Sequence, residues 1–97
     1  MDFKIIKSPS AGALDIILKR SNTKIERKNT NMDAVGLVQG RIIDMVVAAD
    51  IAQKAVNVTV CDVKGSCPQN MVLLAIFGDT ASVEDAIANI KESLGGN

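Results

Sequence analysis

The chain contains no histidine, tryptophan or tyrosine, and Phe3 and Phe77 are its two aromatic residues. Proteins that recognise RNA usually stack the bases on aromatic side chains and surround them with basic residues. Here eleven basic residues are balanced by eleven acidic ones, which gives no net attraction to phosphate backbones or anionic lipid. The composition therefore predicts that neither nucleic acid nor a membrane is among the partners.

The absence of histidine also argues against catalysis. A cysteine nucleophile needs a base beside it, which is usually histidine. The sequence has no paired carboxylates that flank a recognisable cleft and could replace that base. We therefore predict that the chain is not an enzyme, and a small thiol-dependent enzyme is the weakest of the alternatives.

Long apolar runs are missing as well. No stretch approaches the roughly 20 apolar residues of a membrane helix, and the first ten residues, MDFKIIKSPS, lack the apolar region of a signal peptide. These absences predict a cytosolic chain. Because the cytosol keeps thiols reduced, we interpret both cysteines, Cys61 and Cys67, as free thiols or ligands.

The pattern that is present predicts one domain of 97 residues with the element order β-α-β-α-β-β-α. We predict strands at 3–7, 34–39, 57–63 and 71–77, and helices at 11–20, 41–56 and from residue 80 onward. Ser10 is the expected cap of the first helix, and residues 21–31 are the expected polar surface loop. The last two strands should form an antiparallel hairpin, in which Cys61 is a buried strand residue.

The predicted helix at 41–56 is apolar nearly all round. A helix that lies on one sheet needs a single apolar stripe, so this pattern predicts a second apolar neighbour outside the monomer. Burial between the sheet and the other helices of the same chain is the alternative. Ala48, Ala52 and Ala55 form a small-residue face that allows another element to approach closely.

The order of the elements indicates a fold class. From residue 34 onward the chain is a β-α-β-β-α unit that lacks the final strand of a ferredoxin-like layer, and the N-terminal strand can fill that gap. A circular permutation leaves this arrangement behind. We therefore predict an α+β fold, a permuted ferredoxin-like α/β sandwich whose antiparallel-type sheet carries the helices. It consists of a transposed strand and helix at 1–20, a joining loop at 21–33 and a core at 34–94.

Four stretches carry a resemblance to a known family: AVGLVQG at 34–40, AADIAQKAVNV at 48–58, KGS at 64–66 and IFGDTASVEDA at 76–86. In this order and spacing they resemble the shell-protein domain of bacterial microcompartments. The resemblance covers residues 34–90, and residues 3–20 match the family's C-terminal strand and helix moved to the front. It implies homo-hexamers that tile, with other shell proteins, into a shell around encapsulated enzymes in the cytoplasm.

The resemblance also assigns a role to Lys54. It falls on the family's edge lysine, which packs against its counterpart in the neighbouring hexamer, and Asp50 lies one helical turn before it. The alternative is that the two residues form an ordinary exposed ion pair at i, i+4 spacing.

Gly65 and Ser66 fall on the family's pore loop, which surrounds the sixfold axis. The chain departs from the usual loop with Cys67 and Pro68, and so resembles a permuted subgroup associated with glycyl-radical-enzyme compartments, in which the pore cysteine is proposed to hold an iron–sulfur cluster. Other permuted members carry an N-terminal extension that builds a barrel over the pore. With so few residues before the first helix, we expect no such plug here.

One copy of Cys67 cannot hold a cluster, because iron–sulfur clusters usually take about four thiolates. Around a sixfold axis, however, six copies form a ring of thiols. The resemblance thus implies a cluster of the 4Fe–4S type shared between subunits. It would transfer electrons across the shell, or supply a cluster to an encapsulated enzyme or an electron carrier. Two alternatives are a pore that passes only small metabolites, without metal, and a hairpin turn in which Cys67 is a small filler.

Overall fold

A computed structural model of the chain describes residues 1–22, 24–55, 57–65 and 71–94. The elements follow the predicted order: β1 (Asp2–Lys7), α1 (Ala11–Lys19), a short 3-10 turn (Arg27–Asn29), β2 (Ala34–Arg41), α2 (Ile42–Gln53), β3 (Val58–Val63), β4 (Met71–Gly78) and α3 (Thr80–Ser93). Within the described residues, no helix is long and apolar enough to cross a bilayer. The α+β fold with a four-stranded antiparallel sheet is confirmed.

The prediction for α2 was too long at its C-terminal end. The helix ends at Gln53 rather than at residue 56, and Asn57 then adopts a positive φ of 67°. Asparagine tolerates this left-handed conformation better than most residues. The turn at Asn57 directs the chain into β3.

The strands lie in the order β1-β2-β4-β3, and every neighbouring pair is antiparallel. β1 pairs with β2 along its whole length and so fills the vacant edge as predicted, and β3 and β4 form the predicted hairpin. Arg41 lies opposite Met71 and Val63 opposite Leu73. We call the end of the strands where these four residues lie the turn end. The opposite end of the strands, at Ala34 and Gly78, is the far end.

Helices cover both faces of the sheet, and each face has its own core. α2 and α3 pack on one face around the buried residues Ala34, Val38, Met45, Ala48, Ala52, Leu74, Ile76, Val83, Ala86, Ile87 and Ile90. On the other face, α1 and residues 21–33 cover a smaller cluster formed by Ile17, Val35, Cys61, Val63, Ala75 and Phe77. The sheet is therefore the central layer of the domain.

Local sequence explains how the helices begin and how closely they pack. The Ser10 hydroxyl accepts a hydrogen bond from the Ala13 amide at 3.1 Å, so the predicted cap is confirmed. α3 lies unusually close to β2, because a Cβ at Gly36 would be 2.9 Å from Ile87 Cδ1 and 3.1 Å from Val83 Cγ1. The absence of a side chain at this position allows that close approach.

The joining segment, residues 21–33, is polar and largely exposed, but it is tied to the fold at both ends. Ser21 forms an isolated antiparallel bridge with Val63 at the turn end. At the other end, the Ser8 amide donates to the Asp33 carbonyl at 2.8 Å. Between these ties, Ile25 and Met32 are partly buried against the smaller core. The described residues of the segment, 21–22 and 24–33, therefore cross one face of the sheet and pack against it.

Candidate functional site

The outward face of α2 exposes four large apolar side chains. Ile42, Ile43, Val46 and Val47 are 47%, 72%, 65% and 44% exposed, respectively. Burial inside the chain, the alternative weighed above, therefore does not account for the apolar character of this helix. We call these four residues the α2 patch; a contiguous exposed patch of this kind is typical of a surface that another protein covers.

The inward face of α2 carries the small-residue stripe. Ala48 and Ala52 are fully buried in the larger core, whereas Ala55 lies beyond the end of the helix and is partly buried. The element that approaches this stripe belongs to the same chain, because Ala48 and Ala52 lie in one cluster with Ala86 and Ile90 of α3. The stripe therefore packs the monomer, and the α2 patch is a surface that the described part of the chain leaves exposed.

A shallow apolar groove continues the α2 patch toward the turn end. It lies between α2 and the strands β3 and β4, and its lining residues are Ile42, Met45, Val46, Ala49, Val72 and Leu74, with one charged residue, Asp62. Because the groove and the patch share residues, they form one continuous surface along the side of the domain.

At the far end, the outward face of α2 becomes charged. The Lys54 ammonium lies 2.8 Å from an Asp50 carboxylate oxygen, and both side chains are more than half exposed. The exposed i, i+4 pair is thus present, and the exposure leaves both residues available for the edge contact that the resemblance implies. That contact remains a prediction.

The candidate pore loop joins β3 to β4 at the turn end. Gly65 is the last described residue before it, while Ser66, Cys67 and Pro68 lie outside the described residues. A Cβ at Gly65 would meet no atom within 4 Å. Crowding by the described residues therefore does not require glycine here, and the predicted roles of Gly65, Ser66, Cys67 and Pro68 remain predictions.

The residues just before the candidate loop are bound to the residues after α1. The Lys64 amide donates to the Arg20 carbonyl at 2.6 Å, and the Asn22 amide donates to the Asp62 carbonyl at 3.0 Å. The Asn22 side chain also donates to the Asp62 carboxylate at 2.7 Å. Sequence reasoning missed this contact: the polar composition of residues 21–31 indicated a loop but gave no signal for its partner strand.

Cys61 is a buried strand residue, as predicted, with 2% of its surface exposed. Burial raises the pKa of its thiol, and a hydrogen bond with Ser21 opposes that shift without cancelling it. A protonated thiol is a poor metal ligand. Among the described residues, no three potential ligands of the His, Cys, Asp or Glu type lie close enough to hold a metal ion.

The environment of Cys61 predicts its reactivity. In a Cys67→Ser variant at pH 8, we expect Cys61 to react with a thiol reagent at least about tenfold more slowly in the folded protein than in urea, because the thiol is buried and protonated. Since burial raises the pKa of this thiol above its ordinary value, the protonated thiol favours the folded state at neutral pH, and this contribution is lost as the pH rises through the raised pKa. Equal rates in buffer and urea would contradict the assignment.

Comparison with known proteins decides the family. The BMC domain model matches residues 34–97, which is more than half of the chain. The chain belongs to the BMC-domain family. Membership makes it a structural protein of a bacterial microcompartment shell, located in the cytoplasm, and not an enzyme. BMC shell proteins oligomerise and assemble with other shell proteins.

Two solved structures resemble this BMC-domain chain over nearly its whole length. One is the ligand-free structure of the GrpU microcompartment shell protein from Clostridiales bacterium 1_7_47FAA, with 50% identity, a TM-score of 0.73, and coverage of 94% of this chain and 88% of that one. The other is the ligand-free GrpU shell protein from Pectobacterium wasabiae, with 27% identity, a TM-score of 0.75, and coverage of 93% and 99%. No curated protein matches the chain significantly.

Proposed function

We propose that the chain forms cyclic homo-hexamers that tile into the shell, with the turn end of each subunit at the sixfold axis. The observation that carries this proposal is the α2 patch. α2 starts beside Arg41 at the turn end and runs about 18 Å toward the far end. In the proposed ring, the exposed apolar face of α2 therefore extends from the axis toward the rim along one side of each subunit. The next subunit covers this face.

The two ends of this face suit different contacts. Cyclic rings are held by head-to-tail interfaces, in which each subunit uses two different surfaces. The apolar part of α2 suits burial inside such a ring, whereas Asp50 and Lys54 remain at the outer rim, where one hexamer would meet the next.

The transposed β1 and α1, placed before the matched residues 34–97, support the proposed permutation and a single domain over residues 1–97.

We further propose that the segment after Gly65 lines the pore and that Cys67 binds a 4Fe–4S cluster shared between subunits. The donors of one chain do not suffice, because it has no histidine and Cys61 is buried in β3. Several copies of Cys67 around one axis do fit a cluster held by thiolates alone. When bound, the cluster would supply one-electron transfer across the shell, or be passed to an encapsulated enzyme or electron carrier.

In this proposal each residue of the segment has a distinct task. Cys67 provides the thiolate, Gly65 and Ser66 allow the backbone to approach the axis, and Pro68 stiffens the turn.

The second candidate is a hexamer with a pore for small metabolites and no metal. The zero net charge and the family membership are compatible with both candidates, so the metal content distinguishes them.

Iron binding tests the cluster proposal. After anaerobic reconstitution with iron and sulfide, we expect the wild-type protein to be brown with visible absorbance, and Cys67→Ser to lose more than about nine tenths of that iron, because no other thiol faces the axis. Cys61→Ala is the matched control and should keep its iron. A colourless wild-type hexamer would favour the metabolite pore, and full iron retention by Cys67→Ser would exclude Cys67 as the ligand.

The mass of the wild-type protein in solution tests the ring itself. A hexamer has about six times the 10.2 kDa mass of the chain and is easily separated from a monomer by light scattering. A stable monomer at micromolar concentration would contradict the proposed assembly.

A further inference from the structure

A second exposed apolar surface lies on β1. Met1 and Ile5 are 39% and 36% exposed, respectively. Side chains alternate along a strand, so Ile5 lies on the same face of the sheet as Phe3, which packs against the larger core beneath α2 and α3. We call Met1, Phe3 and Ile5 the β1 surface. A shallow depression adjoins it, and its lining residues are Met1, Asp2, Phe3, Lys4 and Lys91.

The β1 surface and the α2 patch lie on opposite sides of the subunit and at the same end of it. β1 and β3 are the two edges of the sheet, about 14 Å apart. The groove that continues the α2 patch reaches Asp62 of β3, whereas the depression adjoins β1. Asp2 pairs with Gln39 near the turn end, and α2 begins there, directly after Arg41. Rotation about an axis at the turn end therefore places the β1 surface of one copy beside the α2 patch of the next.

The two surfaces carry opposite charges. Lys4 and Lys91 line the depression together with Asp2, and within the described residues neither lysine forms a salt bridge. The Lys91 ammonium lies 5.2 Å from the centroid of the Phe3 ring, so its charge is held directly over the β1 surface. The groove at the α2 patch has Asp62 as its charged lining residue. Complementary charges favour contact between these two different surfaces over contact between two copies of the same surface.

We infer that the β1 surface, together with Lys91, covers the α2 patch of a second copy of this chain. This inference rests on the proposed function, since a head-to-tail ring needs two different surfaces on each subunit and the α2 patch is only one of them. β1 precedes the residues 34–97 that the family model matches. The contact therefore uses a part of the chain that lies outside that match.

Cross-linking in the assembled protein is the first test. In a Cys67→Ser background, the double variant Ile5→Cys, Val46→Cys is treated with a short bismaleimide, and Cys61 stays in place because it is buried. A denaturing gel should then show a ladder of covalent species at multiples of the 10.2 kDa chain. Each single variant, Ile5→Cys or Val46→Cys, should run as a monomer, because a head-to-tail contact joins two different surfaces.

The double variant Ile16→Cys, Val46→Cys is the matched control. Ile16 is 63% exposed but belongs to α1, which covers the other face of the sheet, so this variant should give no ladder. A hexamer in which Ile5→Cys, Val46→Cys gives no ladder would overturn the inference alone. A ladder from Val46→Cys by itself would also overturn it, since two α2 patches would then meet. A wild-type monomer would overturn the proposed ring and this contact together, so the two failures are distinguishable.

Charge reversal at Lys91 is the second test, and it needs no added cysteine. Lys91→Glu would place a negative charge against the acidic groove of the next copy. We expect the protein concentration at which half of the assembly dissociates to rise at least about tenfold at low ionic strength, and added salt to reduce this difference. Lys28→Glu makes the same change on an exposed residue of the joining segment and should assemble like the wild type. Equal dissociation of Lys91→Glu and Lys28→Glu would contradict the inferred contact.

Discussion

Val46→Asp is expected to prevent formation of the proposed hexamer and to leave a folded monomer of 10.2 kDa. Val46 lies in the middle of the α2 patch and is 65% exposed in the single chain, so a charge there costs the monomer fold little. In the ring the same side chain would be buried against the next subunit. An unpaired buried carboxylate costs several kcal/mol, and the ring repeats this cost at every interface. Light scattering at micromolar concentration measures the result.

The matched control places the same charge on another helix. Asn89 is exposed on α3 and is not part of the α2 patch, so Asn89→Asp should keep the assembly of the wild type. Circular dichroism should give the same helix content for both variants and the wild type. If Val46→Asp kept the wild-type mass, the ring contact would lie elsewhere and the α2 patch would belong to another partner.

The second large effect is on stability. Phe77 is fully buried and is the only aromatic residue in the smaller core, beside Val35 and Ile17. We expect Phe77→Ala to lower the free energy of unfolding by about 3–5 kcal/mol, because it removes buried apolar surface and leaves a cavity. The total free energy of unfolding of a small domain is only about 5–15 kcal/mol. Urea denaturation in the Val46→Asp background gives the value without a contribution from assembly.

Phe77→Leu is the control for this measurement. Leucine keeps most of the apolar volume, so Phe77→Leu should lower the free energy of unfolding much less than Phe77→Ala does. A loss below about 1 kcal/mol for Phe77→Ala would mean that α1 and the joining segment do not form a tightly packed core with the sheet.

Local patterns predicted most of the fold correctly. Alternating and β-branched residues located β3 and β4, and the spacing of apolar residues located α1 and α3. The Ser10 cap follows from the preference of serine for helix starts. The pairing of β1 with β2 was predicted from the missing strand of the layer, which is an argument about topology rather than propensity.

Long-range contacts are the part that could not be predicted. Asn22 and Asp62 are 40 residues apart in sequence, so no local periodicity connects them. The end of α2 was misplaced because its apolar pattern continues past Gln53, where the helix ends. The sequence also did not indicate which face of the sheet α1 covers. For the candidate pore, the resemblance to a family supplied the assignment, since one cysteine in a turn carries little information by itself.

The joining segment has a practical consequence for shells built from this protein. Its stretch from Glu26 to Asn29 is exposed and lies away from both the α2 patch and the larger core. The entropic cost of lengthening a loop is small, about 0.6 kcal/mol for each doubling. A guest peptide inserted there would therefore cost the fold little, and a shell built from the proposed hexamers would display one copy for each subunit.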